Sequence, residues 1–409
     1  MKVALVCNNF PPEFRGGTER VTLALATALG TLGEEVVVLS GSDAAHDGRD
    51  VIVEEGTGVT VLRVPRMEGE GYGLEIGRPR VLEVEERLLR EHEVEVVHLH
   101  HWASLSSSTM RMARQLGLTG VVTLHDAWTT CPRFFRSAPD GITCPEGVDR
   151  EPCAPCVKKD LEPVPLWKLR VGVADRDRAL RDELAAAAVV TAPSESCASM
   201  VASRLPFGGP IEVVPHGLLE AAPSQPSADD APGGVFRVGT FGNLVPAKGV
   251  ALLVEAMAGL ADAELHLFGP FLSEEFEREV RAAAAARSVE LRCHGPYEPD
   301  GPHPALGLDL AVFPSLCEES YGLVVEEALA RGVPVVVSDL GALGERVRGG
   351  GVVTRAGDAD ALRSALRELL DHPERYRDLR RGVPREFPTI EDAARRYVEL
   401  YRSAKEVSA

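Results

Sequence analysis

Short apolar runs of strand length alternate with longer stretches whose apolar positions recur every three or four residues. In the first half the runs are Lys2–Cys7, Val36–Ser40, Val59–Val64, Val94–Leu99, Val121–Leu124, Val189–Ala192 and Ile211–Val214. Several are nearly continuous Val and Leu, the pattern of parallel strands covered on both faces. Val21, Leu25, Ala28 and Leu32 fall on one face of a helix over Thr18–Leu32. Composition changes at 217–234 to a Pro-, Ser- and Gly-rich linker, and the alternation then restarts. Strands are predicted at Phe236–Phe241, Glu264–Phe268, Val289–Cys293, Leu308–Phe313 and Val333–Val337, with helices at Val250–Leu260, Ser273–Arg287 and Asp358–Leu370. A tail over Thr389–Ala404 carries Ala393, Tyr397, Leu400 and Tyr401 on one face. Strand–helix alternation in two blocks predicts an α/β protein of two doubly wound domains. The expected bounds are 1–216, a linker 217–234, 235–384, and a C-terminal helix in 385–409.

With 409 residues the chain exceeds one ordinary core, which also favours two domains. A net charge of −18 argues against nucleic acid as a partner, because phosphate neutralisation needs a basic surface. No apolar run reaches the length of a membrane span, and MKVALVC followed by Asn-Asn reads as a strand and its turn. A cytoplasmic protein is expected, and its eight cysteines then need a reading other than disulfides. Cys7, Cys197, Cys293 and Cys317 stand alone and read as small buried hydrophobes. Cys131, Cys144, Cys153 and Cys156 have C-x12-C-x8-C-x2-C spacing in a Pro/Gly-rich insert, 131–156, of the first domain. Four thiolates suit structural zinc with no open coordination position; two disulfides or an unligated insert are the alternatives.

The densest chemistry lies in FPSLCEESYGLVVEEALARGVPVVVS, Phe313–Ser338. Strand, polar loop, helix and strand follow one another, with carboxylates Glu319 and Glu327 eight residues apart and Gly322 at the turn between them. Helix N-terminal amides suit a diphosphate, and carboxylates accept hydrogen bonds from sugar hydroxyls, so the segment outlines a nucleotide-sugar site. Glu318 and Glu326 share the spacing. After the first strand, Gly16-Gly17 precedes a helix, with Arg15 and Arg20 nearby. His125-Asp126 follow the strand Val121–Leu124, at the edge where α/β sheets bind ligands. His98, His100 and His101 end the preceding strand and line a cleft or, alternatively, hold a metal. His216-Gly217 reads as hinge geometry. Neither block has a G-x-G-x-x-G after its first strand, which counts against a dinucleotide dehydrogenase.

In this order the motifs resemble the family 4 retaining glycosyltransferases, whose two Rossmann-like domains face a central cleft in the GT-B arrangement. Tyr321-Gly322 matches the aromatic–Gly step of the family's E-x7-E signature and selects the register Glu319/Glu327. The resemblance implies that Glu319 contacts the donor sugar and Glu327 the nucleotide ribose, with Ser320, Tyr321, Gly322 and Leu323 completing the donor loop. It also implies that Gly16 and Gly17 face the donor phosphate, that Lys248 clamps the diphosphate and that His125 lies near the donor sugar. Catalytic roles therefore fall on His125, Lys248 and Glu319. Asn243 stands where the family has an Arg, and brings neither charge nor a bidentate fork. The implied partners are a UDP- or GDP-type sugar donor and a hydroxyl acceptor, and the resemblance also implies that the C-terminal helix in 385–409 packs back on the first domain, an ordinary packing helix being the alternative. No catalytic metal is expected, since no Asp-x-Asp stands out in the strand-end loops of the second domain, and Asp175-Arg176-Asp177, which has that spacing, sits in a helical stretch. A binding paralogue impaired by Asn243 and a nucleotide-sugar epimerase are the alternative functions. A phosphorylase-like enzyme would need a pyridoxal-phosphate lysine, which no motif identifies.

Overall fold

The computed structural model describes residues 1–14, 16–55, 58–65, 74–103, 105–134, 136, 144, 149–161, 163–220, 225, 234–298 and 301–408. Arg15 and most of the linker and of the cysteine insert fall outside these residues. The chain divides into two compact units, Met1–Pro139 with Cys144–Glu220 and Pro388–Ala409, and Ala221–Phe387.

The first unit is built on an eight-stranded sheet. Its strands are β1 (Lys2–Cys7), β2 (Glu35–Ser42), β3 (Ile52–Glu55), β4 (Thr60–Pro65), β5 (Val96–Leu99), β6 (Thr119–Thr123), β7 (Val189–Ala192) and β8 (Glu212–Val213). They lie in the order β3-β4-β2-β1-β5-β6-β7-β8, all parallel except β3, which pairs antiparallel with β4 at the edge. The second unit has β9 (Phe236–Phe241), β10 (Ala263–Phe268), β11 (Leu291–Gly295), β12 (Leu310–Phe313), β13 (Val335–Ser338) and β14 (Gly351–Thr354). These form a fully parallel sheet in the order β11-β10-β9-β12-β13-β14.

Both sheets begin in their interior. β1 is flanked by β2 and β5, and β9 by β10 and β12, so the winding direction reverses beside each first strand. The loops leaving the strand ends at such a point diverge to opposite faces and open a crevice, which fixes where a ligand site can form. The continuous Val/Leu runs are buried as their composition requires: β1, β5, β12 and β13 are almost wholly inaccessible. In the first unit a large core cluster takes in Ala4, Val6, Val97 and Leu99 and a small one gathers Ala154, Val157 and Leu169, while two clusters cover the two faces of the second sheet.

The sequence rhythm marks Lys2–Cys7, Val189–Ala192 and Phe236–Phe241 to the residue, and most other strands within two residues. It passes over β3 and β14, four-residue strands whose exposed positions break the apolar run. It also passes over the helix Pro79–Glu91, whose narrow apolar stripe of Val81, Leu88 and Leu89 is submerged in Glu and Arg. Among the described residues no helix is long and apolar enough to cross a membrane.

Candidate functional site

At the reversal point of the second sheet, β9 leads through a 3-10 turn at Pro246–Lys248 into the helix Val250–Met257. Gly249 joins turn to helix at φ +71°, and a Cβ there would stand 1.9 Å from the Pro314 carbonyl oxygen that follows β12. Only glycine lets the two loops close to that distance. Leu316 N–H donates to Ala247 O at 2.8 Å and stitches them together. The contact delivers Lys248 to Glu319: their side chains form an ion pair, and Ser315 Oγ donates to Glu319 Oε1 at 2.6 Å. Burial pushes the Glu319 carboxyl up, but Lys248 and then Ser315 outweigh it and hold it below the usual carboxylate range. Burial likewise works against the Lys248 charge, and Glu319 reverses the sign, leaving the ammonium above its ordinary value. Asn243 is exposed on the loop leaving β9.

Glu319 is fixed from behind. Ala342 N–H donates to its carbonyl at 2.8 Å, and Gly341, at φ +62°, would place a Cβ 2.3 Å from that oxygen. Gly322 caps the helix Leu323–Ala330 in the left-handed region at φ +87°. The two candidate acid pairs separate physically. Glu326 is completely buried, accepting from Tyr321 Oη at 2.7 Å and pairing with Arg348 at 3.1 Å and Arg346 at 3.6 Å. Arg346 also lies over the Tyr321 ring, 4.7 Å from its centre. Glu326 therefore braces the loop from the core side, whereas Glu327, also buried, has His303 Nε2 at 3.6 Å from its Oε2. Ser320 and Leu323 are partly exposed on the same loop.

At the reversal point of the first sheet the loops after β1, β5 and β6 gather buried polar groups: Asn8, Asn9, His100, His101 and His125. His100 Nδ1 and His125 Nε2 lie 2.7 Å apart and share one proton. Burial pushes both imidazoles down, His125 to about 3, so both are neutral at physiological pH. Ala103 N–H donates to His101 Nδ1, which leaves the neutral ring's proton on Nε2, 3.4 Å from Asp126 Oδ2. Burial raises the Asp126 carboxyl, yet His101 and the Trp128 amide bring it below its ordinary value. His216 stacks on His125, ring centres 4.9 Å apart, so its place is against this cluster as well as at a turn. His98 departs from the cleft-lining expectation. Its Nδ1 meets Tyr401 Oη at 2.6 Å and its Nε2 meets Thr123 Oγ1 at 2.7 Å, which ties β5 to the terminal helix Ile390–Ser408. Gly16 and Gly17 start the helix Gly17–Thr31.

Glu19, which carries no sequence signal beyond that of a first-turn acid, is 4% exposed and folds back onto Gly16. It takes the helix position from which an acid closes a capping box. Burial pushes its carboxyl up, against the amides of Glu19 and Gly16, His101 and Asn9. Arg63 was equally hidden: it is fully buried and donates to the carbonyls of Phe10 and Pro11 at 3.3 and 2.8 Å, holding the loop after β1.

The expectation of structural zinc at Cys131, Cys144, Cys153 and Cys156 finds no support. All four are free thiols, and among the described residues no three Cys, His, Asp or Glu side chains converge as a ligand set; this applies equally to the metal alternative for His98, His100 and His101. The thiols do influence one another. Those of Cys144, Cys153 and Cys156 are pushed up by burial and by neighbouring thiols, while Arg204, Arg150 and Arg133 respectively oppose the shift. Among the insert's described residues, Arg150 pairs with Asp177 at 2.7 Å and donates to Thr130 O at 2.9 Å. That contact uses Asp177 structurally, and Asp175 is taken by Arg178 at 3.0 Å.

Residues 15–218 match the family model Glycosyltransferase Family 4, and residues 235–372 match Glycosyl transferases group 1. A phosphatidyl-myo-inositol mannosyltransferase of Mycobacterium leprae is 34% identical over 32% of this chain, which spans only 37% of that protein. D-inositol 3-phosphate glycosyltransferase 1 of Catenulispora acidiphila is 28% identical over 87% of this chain and 83% of its own length. The fold is that of sucrose-phosphate synthase from Thermosynechococcus elongatus, with a TM-score of 0.70 at 20% identity and 99% coverage of both chains. It is also that of Anabaena HepE in complex with UDP and glucose, with a TM-score of 0.64 at 16% identity, covering 100% of this chain and 99% of the other.

Proposed function

Because the chain belongs to the family 4 glycosyltransferases, enzymes of the GT-B fold that use nucleotide sugars, we propose that it moves a sugar from a nucleoside diphosphate donor to a hydroxyl acceptor with retention. The observation that carries this reading is the Lys248–Glu319 pair at the reversal point of the second sheet, beside the N-terminus of the helix Leu323–Ala330. Lys248 is kept charged by Glu319 and can pass its ammonium to the diphosphate, which frees the carboxylate for sugar hydroxyls. The amides of Leu323 and Val324 add donors for the same phosphates. In the reaction the bond from the anomeric carbon to phosphate oxygen breaks, and a bond to the acceptor oxygen forms on the same face. The acceptor's proton passes to the departing phosphate. Charge on that phosphate is largest near the transition state, where a fixed ammonium and fixed amides act most strongly. Glu327 takes the ribose, and His125, neutral throughout, serves as a hydrogen-bonding partner of the donor sugar.

The similar proteins are named for mannose, inositol phosphate and sucrose phosphate chemistry, and one was crystallised with UDP. They agree on no single base or sugar, so the proposal stops at the nucleoside diphosphate sugar. A second reading, binding without turnover, is favoured by Asn243 alone. Thermal shifts with UDP, GDP and ADP test the donor site. A nucleotide at about 100 times its dissociation constant stabilises by about 2.7 kcal/mol. One nucleotide is expected to raise the wild-type melting temperature and to raise that of Glu327→Ala much less. No shift with any of the three defeats the reading; binding without turnover of any matching sugar conjugate favours the second one.

A further inference from the structure

We propose that His303 is a positioning residue that orients Glu327 for the nucleotide ribose, an inference that rests on the nucleotide-sugar reading. His303 precedes the 3-10 turn Pro304–Gly307 and caps it: Ala305 N–H donates to His303 Nδ1 at 3.2 Å. A neutral imidazole whose Nδ1 accepts carries its proton on Nε2. That nitrogen faces Glu327 Oε2 at 3.6 Å, with only 14% of the His303 side chain and 8% of the Glu327 side chain exposed. The ring cannot swing away freely, because Phe241 meets it edge-on at 4.9 Å and 85°, and Tyr297 approaches at 6.2 Å and 60°. Phe241 is the last residue of β9 and Glu327 lies on the helix after β12, so these contacts lock the ring at the reversal point of the sheet. A turn amide sets the tautomer and two aromatic rings set the orientation, which leaves the N–H nitrogen 3.6 Å from one carboxylate oxygen, within ion-pair range and just beyond a hydrogen bond. A side chain held in this way loses less freedom on binding, and the gain appears in ligand affinity.

The test separates the N–H from the ring. His303→Phe keeps the aromatic packing and removes the donor. His303→Asn keeps a side-chain oxygen for the Ala305 amide but cannot reach Glu327. Calorimetric titration uses whichever of UDP, GDP or ADP binds the wild type, together with its 2′,3′-dideoxy form, and apo melting temperatures report folding. Wild type is expected to prefer the ribose form. Either variant should weaken that form by about tenfold while leaving the dideoxy form nearly unchanged. If one variant fails to fold, the other carries the measurement. Preference for ribose retained at the wild-type ratio in a folded variant overturns the role of His303 alone. A wild type that binds both forms equally overturns the ribose assignment of Glu327, and binding of no nucleotide overturns the reading beneath it.

Discussion

Lys248 and Glu319 each reverse the pKa shift that burial alone would give the other. The sign follows directly. Glu319 is depressed, so its contribution is present above the ordinary carboxylate range and lost as pH falls through its folded value. Lys248 is raised, so its contribution is lost only as pH climbs past the ordinary lysine range. Lys248→Ala removes both the proposed phosphate ligand and the charge that holds the Glu319 carboxyl below its usual range. A loss of about a hundredfold or more in kcat is expected, measured as single-turnover sugar transfer once the donor is known. A loss confined to KM would show that Lys248 binds the donor without acting in the transition state. The buried histidines give a prediction of the opposite kind. His98, His100 and His125 are all pushed down, so unfolding lets them take up protons below about pH 6.5 and they weaken the first unit as pH falls. The raised carboxyls of Glu19, Glu85 and Glu183 act in the contrary direction, so a melting curve mixes the two. Ring proton chemical shifts read the imidazoles directly, and those of His98, His100 and His125 should stay flat between pH 8 and 5; a midpoint near the ordinary value for any of them would contradict its burial. The positions of Glu319, Glu327 and Lys248 stand out in the sequence because spacing along the chain reports them. Glu19, Arg63 and His303 do not, because what distinguishes each is a neighbour brought by folding, and no local pattern encodes that.

Among the elements, the loop that presents Glu319 depends on backbone approaches that only glycine permits. At Gly341 the obstacle is another main chain, the Glu319 carbonyl, and φ is positive, so Gly341→Ala has no flexible side chain to push aside. Gly357 serves as the control: its φ is +74°, yet nothing lies within 4 Å of an added Cβ. Gly357→Ala should cost about 1 kcal/mol for left-handed backbone alone. Gly341→Ala should cost more, about 2–3 kcal/mol, and should also weaken nucleotide binding by moving Glu319. Equal stability losses with unchanged nucleotide affinity in both variants would remove Gly341 from the site. On the other side of the loop, Tyr321 and Glu326 hold the turn by a hydrogen bond that can form only because Glu326 points inward. Spacing alone leaves the register of the repeated acid pairs open and the aromatic–Gly step selects Glu319/Glu327; the structure adds what each acid meets, Tyr321 and Arg348 for Glu326 and His303 for Glu327.

Across the whole molecule each unit carries its own core, and the chain's last helix belongs to the first of them. The amphipathic tail shows in sequence that some surface covers Tyr397 and Tyr401; periodicity cannot name the covering partner, and it is the family resemblance that points to the first domain. The structure supplies it: the helix packs on Gly17–Thr31, Tyr397 Oη lies 2.8 Å from Thr123 Oγ1, and Tyr401 Oη lies 2.6 Å from His98 Nδ1. Both rings are almost wholly buried, as are Ala394, Val398 and Leu400. Large apolar side chains contribute about 1.5–3 kcal/mol each on burial, so removing this face takes away a sum comparable with the 5–15 kcal/mol by which a domain is stable. Ending the chain at Phe387 should therefore abolish the cooperative unfolding of the first unit and leave that of the second, seen calorimetrically as the loss of one transition. Nucleotide binding, assigned to the second unit, should survive with little change. Tyr401→Phe is the milder version: it keeps the ring and leaves His98 Nδ1 without its hydroxyl, at a cost of about 1–3 kcal/mol. A truncated chain that keeps both transitions would mean that the terminal helix rests on the first unit without stabilising it.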